Sequence, residues 1–185
     1  MLAGLKQDAR ERVSEALSDA DIKRHLPGAK ILKYSDLSRV SSLFDVLPRV
    51  CDFAFILYED SVNRGHWVLI SRPADGVGEY YDSYGGGVDA PLRWTAKERR
   101  SALGERHPYL SILFEDCLRS GDLSEVVYNK RKYQSDSPAV ADCGRWCVLR
   151  AKNLDLDLDE LSRYVTRECR RLRMNPDECV TTLVV

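Results

Sequence analysis

The chain contains no hydrophobic run approaching the roughly 18 to 20 residues that a helix needs to cross a bilayer. Its first residues, "MLAGLKQDARERVSEAL", also lack the continuous apolar stretch of a secretory signal, so an intracellular setting is expected. Excess charge of either sign is missing. With 28 Lys and Arg against 29 Asp and Glu, the net charge is −1, which removes any whole-molecule attraction to nucleic acid or to a membrane surface. Cysteine is too sparse for a disulfide-stapled secreted scaffold, and the six residues at 51, 117, 143, 147, 169 and 179 are expected to be reduced thiols. A four-thiolate zinc site drawn from Cys143, Cys147, Cys169 and Cys179 fits poorly, because no second close-spaced Cys or His pair accompanies Cys143-x3-Cys147. Internal repeats, low-complexity segments and a clear linker are absent. Residues 1–185 therefore read as a single domain, with 1–18 as a possible N-terminal helical appendage.

What is present is the composition of a globular protein, 44% hydrophobic and 31% charged. "LKQDARERVSEAL" carries Leu5, Ala9, Val13 and Leu17 in steps of four, a narrow helical stripe. Ser18 or Asp19 caps a second short helix, "DADIKRHL", and Ser35 a third running toward Pro48. The pattern then changes to short aromatic or β-branched runs between turn-rich segments, at 52–59, 66–72 and 79–85, which predicts consecutive strands. Helical spacing returns in "HPYLSILFEDCLRSG", "SEVVYN" is a further strand, and helices follow from Asp142 to about Leu154 and over "DELSRYVTRECRRLR". "CVTTLVV" is expected to close the chain as an edge strand. Helices, then strands, then helices predict an α+β domain whose mainly antiparallel sheet is flanked by helices. Arg163, Arg167, Arg170, Arg171 and Arg173 gather largely on one helix side, either a solvated face beside the acidic run "DLDLDE" or a phosphate-contacting patch.

The chemistry-bearing residues come in the order His66, Asp82, Gln134, Cys143. His66 opens a strand and Asp82 ends the next. If the two strands pair as a hairpin, both side chains lie at the end away from the turn, where the carboxylate can accept the imidazole Nδ1 proton and fix the tautomer. Cys143 follows Asp142, a plausible N-cap, at the first turn of a helix, where unpaired amides, the helix dipole and a nearby imidazolium all favour the thiolate. Gly144 leaves room for a substrate backbone, and Cys147, one turn on, reads as core. Acyl transfer needs donors aimed at the developing oxyanion, and the Gln134 amide with the Cys143 backbone N–H would supply them.

In this order the residues resemble the adenovirus-protease (adenain) and SUMO-protease group of cysteine peptidases. "GHWVLI" supplies His66 and Trp67, "YYDSYGG" supplies Asp82, and "YQSDSPAVADCGRWC" supplies Gln134, Cys143 and Gly144, while "AKILKYSDL" and Asp89 are similar to virus-type members. The resemblance covers roughly residues 20 to 152. It implies a mixed or antiparallel sheet in the circularly permuted, papain-like adenain arrangement, with Cys143 as nucleophile, His66 as base and then acid, Asp82 as orienter and Gln134 in the oxyanion hole. Trp67 would help form a narrow tunnel that favours Gly beside the scissile bond. The segment from Gln134 to Cys143 is longer than usual and contains Pro138. The short chain, without long exosite extensions, points to a viral maturation protease acting on precursor or capsid proteins, needing neither metal nor cofactor. Protein substrates are the expected partners, either viral precursors or ubiquitin-like conjugates. A peptide activator is compatible, whereas nucleic acid and membrane are not expected. Two other activities share the arrangement: a SUMO- or ubiquitin-specific protease acting on host conjugates, and an acetyltransferase effector, for which the arginines at 163–173 are the one hint.

Overall fold

The computed structural model describes residues 2–185. Its centre is a five-stranded mixed sheet in the order β1-β2-β3-β4-β5, formed by Lys30–Lys33, Phe53–Ser61, Arg64–Ala74, Val77–Tyr81 and Glu125–Tyr128. The three middle strands pair antiparallel, and the short outer strands β1 and β5 each pair parallel with their neighbour. Side chains alternate across the sheet as strand geometry requires. Phe55, Leu57, Trp67, Leu69 and Tyr81 enter one core, while Ala54, Ile56, Tyr58, Val68, Ile70 and Tyr80 enter another on the opposite face.

Helices cover both faces, so the fold is α+β in three layers. The first core is covered by α2 (Asp19–His25), α6 (Cys143–Ala151), α7 (Leu158–Leu172) and α8 (Pro176–Leu183). The second is covered by a 3₁₀ turn at Tyr34–Arg39, α3 (Leu43–Val46) and α5 (Tyr109–Ser120). Helices α1 (Leu2–Arg12) and α4 (Lys97–Leu103) complete the set. No helix among the described residues is long and apolar enough to cross a membrane.

Three local expectations change. The helix expected from Ser35 to Pro48 breaks in two because Ser42 accepts from Phe44 N–H while Asp45 accepts from Ser42 N–H, a cap that starts α3 afresh. The stripe ending in Leu17 stops at Arg12. Beyond it the Val13 carbonyl accepts from Ala141 N–H and the Leu17 carbonyl from the Trp67 indole, so these carbonyls bond to the body instead of continuing the helix. The C-terminal "CVTTLVV" is helical, not an edge strand. Asn175 and Glu178 form a capping box with Pro176 in the first turn, and buried Cys179, Val180 and Val184 pack into the cores, overriding the β-propensity of Val and Thr. The short β1 and α4 had no counterpart in the pattern.

The N-terminal segment set apart as a possible appendage is tied to the C-terminus. Ala9 is buried, Arg10 Nε meets the Glu178 carboxylate at 2.6 Å, and Lys6 Nζ donates to the Arg173 carbonyl at 3.1 Å.

Candidate active site

Strands β3 and β4 pair with Leu69 opposite Tyr81 and Ile70 opposite Tyr80, so the chain just past Tyr81 lies at the same sheet end as the start of β3. His66 and Asp82 meet there, with Nε2 2.8 Å from Oδ1. The bond uses the ring nitrogen opposite to the one expected: Asp82 holds Nε2, which leaves Nδ1 available toward Cys143, whose thiol the imidazole makes more acidic. Asp82 is fully buried and its Oδ1 also accepts from Tyr84 N–H at 2.9 Å. Asn129, at the end of β5, clamps its backbone, accepting from Asp82 N–H at 2.9 Å and donating to its carbonyl at 2.6 Å. Gly65 is required just before His66, because a Cβ there would run into the Tyr58 carbonyl on β2.

Cys143 is the first residue of α6 and is buried. Burial alone would raise its pKa. The hydrogen bond and charge of His66 outweigh it, aided by the backbone N–H groups of Trp67 and Gly144, and the thiol becomes more acidic than usual. The imidazole responds in kind: burial disfavours its charge, but Asp82 and Cys143 overcome this and push its pKa up to about 10. Both shifts favour the thiolate–imidazolium form of the pair over the neutral one. Cys147, one turn on, donates from Sγ to the Trp67 carbonyl at 3.4 Å, and burial drives its pKa well above the ordinary value.

Gln134 lies in the same cleft and is buried. The Ser83 hydroxyl donates to its Oε1 at 2.7 Å, and the Ser83 carbonyl accepts from Tyr133 N–H at 2.8 Å and Gln134 N–H at 3.1 Å. The residue after the acid thus holds the amide by its oxygen, leaving Nε2 as a free donor, despite Pro138 and the long segment before Cys143. Asp142 does not cap α6 with its side chain. It is fully buried, and desolvation, with Asp177 next, pushes its pKa up to about 9, so it is neutral at pH 7 and adds no repulsion to the neighbouring thiolate.

The cleft around these groups has a volume of about 600 Å³. One wall is Ser14, Ala16, Leu17 and Ser18, strapped down by Ala141 N–H to the Val13 carbonyl, Trp67 Nε1 to the Leu17 carbonyl, and buried Arg145 to the Glu15 carbonyl. The space left by Gly144 is taken from within: a Cβ there would lie 3.0 Å from Leu17 Cβ and 3.2 Å from Trp67 Cδ1. Gly144 thus lets Leu17 and the Trp67 indole pack close, and Trp67 lines the cleft while mostly buried. Tyr84, Pro91 and Trp94 also line the cleft.

Asp89 sits outside this cleft as a buried staple, accepting from the Tyr34 and Tyr58 hydroxyls at 2.7 and 2.8 Å and from Ser111 N–H at 2.9 Å. The arginines separate. Arg163, Arg167 and Arg170 line a hollow of about 370 Å³ with Arg131, whereas Arg171 pairs with Glu168. The four thiols do not form one centre, and among the described residues no group of three or more His, Cys, Asp or Glu is placed to hold a metal ion.

Ser83, Asn129, Trp94 and the 14–18 strap escaped sequence reasoning. Ser83 stands next to Asp82 but had no role assigned, and nothing in "PLRWT" or "SEALS" marks a cleft wall.

Protein V9 of the Sputnik virophage, named as uncharacterized, is 33% identical to the chain over 171 residues, which is 92% of the chain and 94% of V9. No family model matches the chain. No solved structure matches it.

Proposed function

The chain belongs to the family of the virophage protein V9, and from that premise we propose that it is a cysteine endopeptidase with the adenain-type arrangement, cleaving viral precursor or capsid proteins at Gly-containing sites. The observation that carries the proposal is the hydrogen-bonded Cys143–His66–Asp82 relay at one end of a cleft, with the thiol acidified and the imidazole made more basic.

In the proposed reaction the Cys143 thiolate attacks the scissile carbonyl. The oxyanion forms between the Gln134 Nε2 donor and the Cys143 backbone N–H at the start of α6. As the tetrahedral intermediate collapses, the C–N bond breaks and the His66 imidazolium gives its proton to the departing amine, leaving a thioester on Cys143. Neutral His66 then takes a proton from water, which attacks the thioester. Collapse of that second tetrahedral intermediate breaks the C–S bond, expels the Cys143 thiolate beside the now protonated His66 and releases the acid product. Asp82 stays a carboxylate throughout, holding Nε2–H so that Nδ1 faces the sulfur. Trp67 supports the thiolate through its backbone N–H and lines the cleft that confines the substrate.

The test is covalent labelling of the full chain with a peptidyl Gly-Gly vinyl ester, alongside ubiquitin- and SUMO-derived vinyl-ester probes. Wild type is expected to acquire one adduct on Cys143, and Cys143→Ser none. Failure of wild type to label, or labelling that survives in the variant, overturns the assignment. Preference for a full ubiquitin-like probe over the short peptide replaces polyprotein cleavage with deconjugation as the activity.

A further inference from the structure

We infer that Asp177, on the last helix, is a positioning residue for the reaction: its carboxylate ties Ser135, next to Gln134, to Asp142, next to Cys143, and so fixes the spacing of the two oxyanion donors. The inference rests on the peptidase reading above and names the group that sets the geometry of its oxyanion hole.

Gln134 and Cys143 stand at the two ends of an irregular segment, since neither helix nor strand forms between Tyr128 and Cys143. Residues 136–139 are exposed. Ser83 holds Gln134 and the Val13 carbonyl holds Ala141, but neither reaches from one end of the segment to the other. A loop held only at separate points is free to shift its ends, and a misplacement of about 1 Å can cost about a hundredfold in rate.

Asp177 does reach across. Its Oδ1 accepts from Ser135 N–H at 3.2 Å, and its carboxyl is hydrogen-bonded to that of Asp142. Asp142 and Asp177 are 0% and 8% exposed, too dry for two neighbouring carboxylates, so the pair keeps a proton between them. Cys143 and Glu178 add to the repulsion, Arg145 offsets part of it, and the proton stays on Asp142. The Asp142 O–H thus donates to Asp177, whose carboxylate accepts from both ends of the segment. Helix α8 does not need this side chain for itself. Asn175 and Glu178 cap it, and Glu178 also meets Arg10 of α1, so Asp177 is a buried carboxyl on an anchored helix, turned to the loop that carries the donors.

The experiment compares the full chain with Asp177→Ala, Asp177→Asn and Asp142→Ala, each checked for fold by circular dichroism. Asp177→Ala frees both ends and is expected to lower kcat on a Gly-Gly peptide by about ten- to a hundredfold with KM little changed. Alkylation of Cys143 by iodoacetamide, which forms no oxyanion, should stay near the wild-type rate in that variant. Asp177→Asn keeps an acceptor for Ser135 N–H and offers Nδ2 to an Asp142 carboxylate, so it should recover most of kcat. In a Gln134→Ala background Asp177→Ala should cost less than about threefold, because the movable donor is gone while α6 fixes the Cys143 N–H. Asp142→Ala frees one end only and should lower kcat with KM unchanged, which keeps the test open if Asp177→Ala does not fold. Wild-type kcat in the alanine variants, a loss confined to KM, a loss matched by slower alkylation, an Asp177→Asn no better than Asp177→Ala, or a fully additive loss on Gln134→Ala overturns the inference and leaves the peptidase reading standing. Wild type that neither labels with the vinyl ester nor cleaves the peptide overturns both.

Discussion

Cys143 and Cys147 lie one turn apart on α6 and are both buried, yet their acidities move in opposite directions. Burial pushes each thiol toward the neutral form. Cys143 escapes because it begins the helix, where amides still lack partners, and because the imidazole and the N–H groups of Trp67 and Gly144 converge on its sulfur. Cys147 meets a backbone carbonyl, which can only accept, so its proton is kept. Two thiols of equal chemistry become an acidified group and a packing group by what their sulfurs face.

The strongest way to break the contrast is to remove the reactive member. Cys143→Ala is expected to lower peptide cleavage on the order of 10⁴- to 10⁶-fold with the fold intact, read by initial rates and circular dichroism. Gln134→Ala removes one oxyanion donor and leaves the ion pair. It should cost about 10²- to 10³-fold in kcat, while alkylation of Cys143 by iodoacetamide stays near the wild-type rate.

Varying pH sharpens the difference between the thiols. With Cys143 lowered and His66 raised to about 10, alkylation of Cys143 should persist to lower pH than that of an ordinary thiol. Peptide cleavage should fall about tenfold per unit above pH 10 as the imidazolium donor is lost. Cys147 should alkylate only in denaturant. The same groups set the pH dependence of stability. His66 has a folded pKa above its ordinary 6.5, so its stabilising share is complete below that value and is lost as pH rises through about 10.

Asp142 works in the opposite sense. Its folded pKa of about 9 lies above the ordinary 3.8, so between those values the folded state holds a proton that the unfolded state has released, and stability falls as pH rises. Asp142→Asn should flatten that slope and raise Tm at pH 8 by about 2–4 °C for each kcal/mol recovered, measured by thermal unfolding at several pH values. The smallest effect is expected at the second thiol. Cys147→Ala should change cleavage by less than about threefold while costing on the order of 1 kcal/mol in stability, read by urea denaturation.

The reactive residues were legible because each sits in a short local pattern. A His at a strand start, an Asp at the next strand end and a Cys opening a helix are arrangements that neighbouring residues specify, and hairpin geometry predicts the meeting of the first two. The choice of Nε2 over Nδ1 was not legible, since it depends on where α6 places the sulfur relative to the sheet end. Nor was the role of Gly144. Its missing side chain also makes room for Leu17, more than a hundred positions earlier, which no local pattern announces. The C-terminal segment misled for a related reason: its Val and Thr residues favour a strand, while the cap at Asn175 and the packing of Cys179 and Val184 decide for a helix.

By itself the sequence determined which thiol, imidazole and carboxylate could be brought together, and that a sheet flanked by helices would carry them, because these follow from side-chain alternation, caps and turn chemistry over a few residues. Only the tertiary structure decided how the cleft is walled. The strap at 14–18, the Ser83 hydroxyl on Gln134, the Asn129 clamp on Asp82 and the open indole of Trp94 join residues far apart in the chain. Such contacts form only once both layers have packed against the sheet, and no local pattern encodes which distant backbone or ring will be there to meet them.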